Sequence, residues 1–161
     1  MISAKPTLTL VVRHTDGESE VVIDVRHLPL VVTTWFGAPT LGLVEAYDGW
    51  LRRFVETSSV SGRRVVLLDD ATRAERPTPQ VRGRLAKLDC PANIVVARVI
   101  VAHTAAIRGA VTALTWSTGK QLQTVETIEA GVSQCLRIFG DNKIVPPRKF
   151  EIVPAQPSSA G

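Results

Sequence analysis

A chain of 161 residues, 45% hydrophobic and 21% charged, has the make-up of one globular domain able to bury about two thirds of its unfolded surface. Those proportions exclude a disordered chain, and with no apolar run near ~20 residues no spanning helix is expected. Two cysteines, Cys90 and Cys135, without CxxC spacing exclude a zinc or disulfide framework and point to reduced, half-buried thiols.

Three strand-like runs come first, over residues 7–13, 20–26 and 30–36. Asp16-Gly17 between the first two is a tight-turn signal, so an antiparallel hairpin opens the chain. The first apolar run is short, broken by Arg13 and His14, and no small-residue cleavage site follows, which favours a cytoplasmic protein over a secreted one. Thr40 then caps a helix whose apolar face carries Leu43, Val44, Tyr47, Trp50, Leu51, Phe54 and Val55, with Glu45, Asp48, Arg52, Arg53 and Glu56 opposite. Tyr47 and Trp50 on that stripe are core residues.

From there strands and helices alternate. Residues 65–69 form a short apolar strand; Thr78 caps a helix with Pro79 at its first position and Val81, Leu85 and Leu88 inward. Residues 94–102 form a second apolar strand, and Thr104 caps a helix reaching Trp116 with Ile107, Val111 and Leu114 inside. Its small residues Ala105, Ala106, Gly109, Ala110 and Ala113 suit close packing, and Arg108 points outward. Residues 122–125 form a last strand before a helix from Thr127 to Gly140 bearing Ile128, Val132, Leu136 and Phe139. This order implies an α/β fold: a mixed sheet of about five to six strands, an antiparallel start, then parallel crossovers. Residues 1–140 make the single domain and 141–161 a proline-rich tail, in which Ile144, Val145, Phe150, Ile152 and Val153 could lie extended on the body and the last residues hang loose.

The net charge of +4 is concentrated between residues 71 and 88, where Arg73, Arg76, Arg82, Arg84 and Lys87 face one acid, Glu75. Arg82 and Arg84 sit two apart on a helix and point away from each other, and the segment has no aromatic, so no nucleic-acid surface is expected. Asp69 and Asp70 stand at the carboxyl end of a parallel strand, where open α/β sheets gather ligands. One of them capping the turn, or pairing with Arg73 or Arg76, is the structural reading. Arg98, the one charge inside its strand, needs a partner among Asp24, Asp69 and Asp70. His14, His27 and His103 are scattered without metal spacing, and the chain has no GxSxG, GxxxxGK[ST] or GxGxxG. No catalytic, cofactor-binding or metal-ligating residue is therefore assigned.

The stretches VVLLDDATRAERPTPQVRGRLAKL and VARVIVAHTAAIRGAVTALTW, in this order of elements, resemble STAS-like domains, the anti-sigma-factor-antagonist-like superfamily in its small stand-alone proteobacterial form. The resemblance covers residues 7–140, with Arg108, Gly109 and Ala110 matching a helix start often seen there. It implies a non-enzymatic regulatory adaptor acting in signal transduction through protein contacts, with an unidentified protein partner or a second copy of itself. In antagonists of that family a Ser or Thr after the aspartate-bearing strand is phosphorylated; here the Asp-Ser-Ser-Gly or Asp-Ser-Thr-Gly pattern is absent and Thr72 is the remaining hydroxyl beside Asp70. Asp69, Asp70, Thr72, Arg73, Arg76, Arg82 and Arg108 are the candidate interaction residues. No cofactor and no membrane insertion are expected. The alternative is a carrier of a small apolar ligand, because related sheets in lipid-transfer domains hold such ligands between helix and sheet.

Overall fold

The computed structural model describes residues 10–118, 122–148 and 152–158. Strands β1 (Val11–Asp16) and β2 (Ser19–Asp24) form the opening hairpin, turning through Gly17 at φ 61°, where a side chain would be strained. Strand β3 (Leu30–Gly37) adds antiparallel to β2; β4 (Val65–Ala74), β5 (Val95–Val101) and β6 (Leu122–Val125) follow in parallel, giving one sheet in the order β1-β2-β3-β4-β5-β6. Part of the first predicted strand, residues 7–9, lies outside the described residues.

Among the described residues four helices connect and close the sheet: α1 (Leu41–Ser61), α2 (Pro79–Leu85), α3 (Ala105–Thr118) and α4 (Ile128–Asp141). Each starts at the predicted threonine. The hydroxyls of Thr40, Thr78, Thr104 and Thr127 accept from the backbone N–H three residues on, at 3.1, 3.3, 3.3 and 3.1 Å, satisfying donors the helix itself cannot.

The sheet alternation makes two cores. Val21, Ile23, Val31, Val65 and Leu67 pack under α1 and α2 with Leu43, Val44, Tyr47 and Leu51. Leu30, Val32, Val66, Leu68, Val99 and Val101 pack on the other face under Cys135, Ile138 and Phe139 of α4. There α4 approaches so closely that a Cβ on Gly131 would stand 2.9 Å from Leu68 Cδ1. Helix α4 covers β4 to β6, and residues 152–158 lie over β1 to β3 on the same face.

Several expectations change. Strand β4 runs to Ala74 instead of stopping at Asp69, because β3 continues beside it to Gly37 after a bulge. Cys135 is fully buried, and Leu136, expected inside, is 42% exposed because the buried face of α4 is set by Gly131, Cys135, Ile138 and Phe139. Asp48, assigned to the polar side of α1, is buried, and Gly109 faces open space, so close packing is not its role. The side chain of Leu114 lies outside the described residues. None of the described tail residues is in a strand, and Ser158 is held, donating to Glu20; Phe150 and residues 159–161 lie outside the described residues. No described helix is long and apolar enough to cross a membrane.

Candidate functional site at the carboxyl end of the sheet

Adjacent residues of a strand point to opposite faces, so Asp69 and Asp70 cannot form one site. Asp69 follows Leu67 toward α1 and α3; Asp70 follows Leu68 toward α4 and the tail. The two acids serve different partners.

Asp69 is 2% exposed, and its Oδ2 accepts from Nε of Arg98, one strand over. Of Arg98's three sequence-level candidates the structure selects this one. Burial works against the guanidinium's charge, and the Asp69 carboxylate more than offsets it, so Arg98 stays protonated. Tyr47 is buried on the same side; burial, then the Asp69 charge, pushes its hydroxyl up. The other carboxylate oxygen, Asp69 Oδ1, is buried and has no hydrogen-bond partner among the described residues. The ion pair lies on the wall of a cavity of about 100 Å³ between the sheet, α2 and α3, with Trp35, Leu85, Ile107, Ala110 and Val111 as its apolar lining. The small residues of α3 thus leave space instead of closing it.

On the opposite face Asp70 Oδ1 accepts from the Thr72 backbone N–H at 3.0 Å and from its hydroxyl at 2.6 Å; both residues lie inside β4 beside its bulge against β3, so the bond is made within the strand and not at the turn expected for it. Arg73 lies over the Phe36 ring at 4.5 Å and donates to the Ala155 carbonyl. Asp70, Thr72 and Arg73 are therefore brought together beneath the tail. Arg76 is exposed and Arg82 half-buried at the rim, and neither makes an ion pair among the described residues. Arg108 is set apart and does not point freely outward: it donates to the Ala102 carbonyl at 3.2 Å and stands 3.7 Å from Glu126.

Sequence reasoning missed two anchors. Arg84 reaches from α2 to α1 and donates to Glu45 at 2.6 Å and to Asp48 at 2.6 Å, with Arg52 also on Asp48 at 3.0 Å. The local signal was present, since Glu45, Asp48 and Arg52 share a helix flank. Burial raises the Asp48 carboxyl but the Arg84 and Arg52 hydrogen bonds outweigh it, leaving it below its ordinary value; the Arg84 hydrogen bond lowers Glu45 as well. The second anchor is Glu20, 5% exposed, which accepts from Arg13 and from residue 158, too far along the chain for any local signal. No three His, Cys, Asp or Glu side chains gather to hold a metal ion among the described residues.

A mixed six-stranded sheet opened by an antiparallel hairpin, continued by parallel strands and flanked by four helices is the STAS-like, SpoIIAA-like fold. Two solved structures share it. One is an anti-sigma factor antagonist from Mycobacterium paratuberculosis, 13% identical over 76% of this chain and 97% of that one, with a TM-score of 0.51. The other is an uncharacterized protein of the DUF3478 family with a SpoIIAA-like fold from Shewanella loihica PV-4, 12% identical over 78% of this chain and 91% of that one, with a TM-score of 0.52. No family model matches the chain, and no curated protein matches it in sequence.

Proposed function

We propose that the protein is a cytoplasmic, non-enzymatic regulatory adaptor that binds another protein through the end of β4, the loop after it and the start of α2. The observation that carries this is the rim itself: exposed Arg76 and half-buried Arg82 follow the carboxyl end of β4 without an acidic partner among the described residues. An acidic partner surface would supply the missing charges and steer association. The shared fold with an anti-sigma factor antagonist supports a role through protein contacts. The test is capture from the native cell with wild type and with Arg76→Glu/Arg82→Glu. A partner retained by wild type and lost, by tenfold or more, by the charge-reversed chain is expected; equal retention by both would sink the reading.

The cavity beside Asp69 favours a second reading, a carrier of a small amphiphile. At about 100 Å³ it is of the order of cavities that take one small organic molecule. The ion pair is neutral overall and the rest of the lining is mostly apolar, so the matching ligand is uncharged and apolar in body. Native mass spectrometry of the purified chain and tryptophan fluorescence under titration with 1-butanol, with Trp35→Phe as the control for the cavity residue, would test it. A clean apo mass together with unchanged fluorescence would discard the carrier.

A further inference from the structure

Among the described residues, the face of β1 to β3 opposite α1 carries no helix or strand, and residues 152–158 lie on it. Their seat is built from the body of the protein. Glu20 is 5% exposed, and its Oε2 accepts from the backbone N–H of Ser158 at 3.3 Å and from the Ser158 hydroxyl, while Arg13 donates to its Oε1 and stands 3.5 Å from that hydroxyl. Three residues earlier along the tail, the Ala155 carbonyl takes a hydrogen bond from Arg73, itself fixed over Phe36. Ile152 packs against the α4-side core. A carboxylate this buried needs its donors, so whatever lies in the seat must bring one to Glu20.

The tail covers this face without filling it. Of its side chains Ile152, Ala155 and Pro157 are half-buried, and Val153 is 67% exposed. A cleft of about 610 Å³, partly open to solvent, is lined jointly by the tail and by the body, Thr34, Asp70, Thr72 and His103 among its residues. That volume lies in the range of small-ligand pockets. A segment held at two polar points is displaceable by one that makes the same two bonds and also fills the cleft.

We infer that this face is a docking groove for an extended, proline-bearing segment of another protein, and that residues 152–158 occupy it as an internal mimic. The geometry states the chemistry of the partner: a backbone carbonyl for Arg73 and, three residues later, a Ser or Thr that donates to Glu20. Three of the sequence-level candidates, Asp70, Thr72 and Arg73, line the cleft beside the tail, so a segment seated there would meet all three. Being tethered, the tail acts at an effective concentration in the millimolar range, and an outside segment of equal intrinsic affinity loses to it. This groove is separate from the Arg76 and Arg82 rim, and its test needs no native partner.

The experiment uses full-length chains and a fluorescein-labelled, N-acetylated peptide of residues 152–158, read by fluorescence anisotropy. Ile152→Asp/Ser158→Ala weakens the resident tail without altering the seat and is expected to bind the peptide at least tenfold more tightly than wild type does. Adding Arg73→Ala should remove that gain. Equal affinity in wild type and the weakened chain, or a gain that survives Arg73→Ala, overturns the proposal. Thermal melting checks that each chain is folded; if the double variant does not melt cooperatively, Ser158→Ala alone is read by the same criteria. Light scattering is expected to give a monomer throughout, and a wild-type dimer that dissociates in the weakened chain overturns the intramolecular seat.

Discussion

Removing one member of the Asp69–Arg98 pair leaves a charge in a site that offers it nothing else. Arg98→Met should therefore destabilise the protein by about 3–5 kcal/mol in urea unfolding. Asp69→Leu combined with Arg98→Met removes both charges and should recover most of that loss, since two apolar side chains of similar volume replace a pair whose desolvation is costly. A double variant as unstable as the single would show that the pair is not the source of the effect. Arg84 offers the second test at this scale, through pH. Asp48 and Glu45 have folded-state pKa values below their ordinary 3.8 and 4.5, so the stability they contribute is fully present above those values and is lost as pH falls through the lowered ones. Arg84→Ala should lower the urea midpoint at pH 6, and the gap from wild type should narrow steadily below about pH 4. A gap unchanged down to pH 2 would contradict the assignment.

Among the elements, α3 and α4 use glycine for opposite reasons. Gly131 allows α4 to meet the sheet, with Leu68 and Val101 where a Cβ would stand, so Gly131→Ala should cost about 1–3 kcal/mol despite its better helix propensity. Gly109 meets nothing within 4 Å, and Gly109→Ala should stabilise α3 by up to about 1 kcal/mol. Chemical denaturation of the two variants side by side separates packing from propensity. Helix starts were the most legible feature of the sequence, because a cap is decided within four residues: Thr40, Thr78, Thr104 and Thr127 all hold. Helix faces were less so. Asp48 reads as solvent-facing on α1 alone and becomes buried when α2 brings Arg84 over it. Leu136 reads as inward on α4 alone and is left outside by the close approach at Gly131.

At the scale of the whole molecule, the concentrated positive charge of residues 71–88 is divided by the fold. Arg84 is consumed by α1 and Arg73 by the tail and Phe36, which leaves Arg76, Arg82 and Lys87 without an ion pair among the described residues. Composition, periodicity, turn residues and caps determined by themselves that the chain makes a hairpin followed by alternating strands and helices in one mixed sheet, because each of those signals acts over a few neighbouring residues. Strand periodicity also contained the separation of Asp69 from Asp70, although their adjacency in sequence suggests a pair. What only the tertiary structure decided is which partner each charge takes. Register across parallel strands chose Asp69 for Arg98, the crossing of two helices chose Asp48 for Arg84, and the return of the tail chose Glu20 for Ser158. These contacts join residues 29 to 138 positions apart, so no local preference carries them; they exist only once packing has brought the segments together.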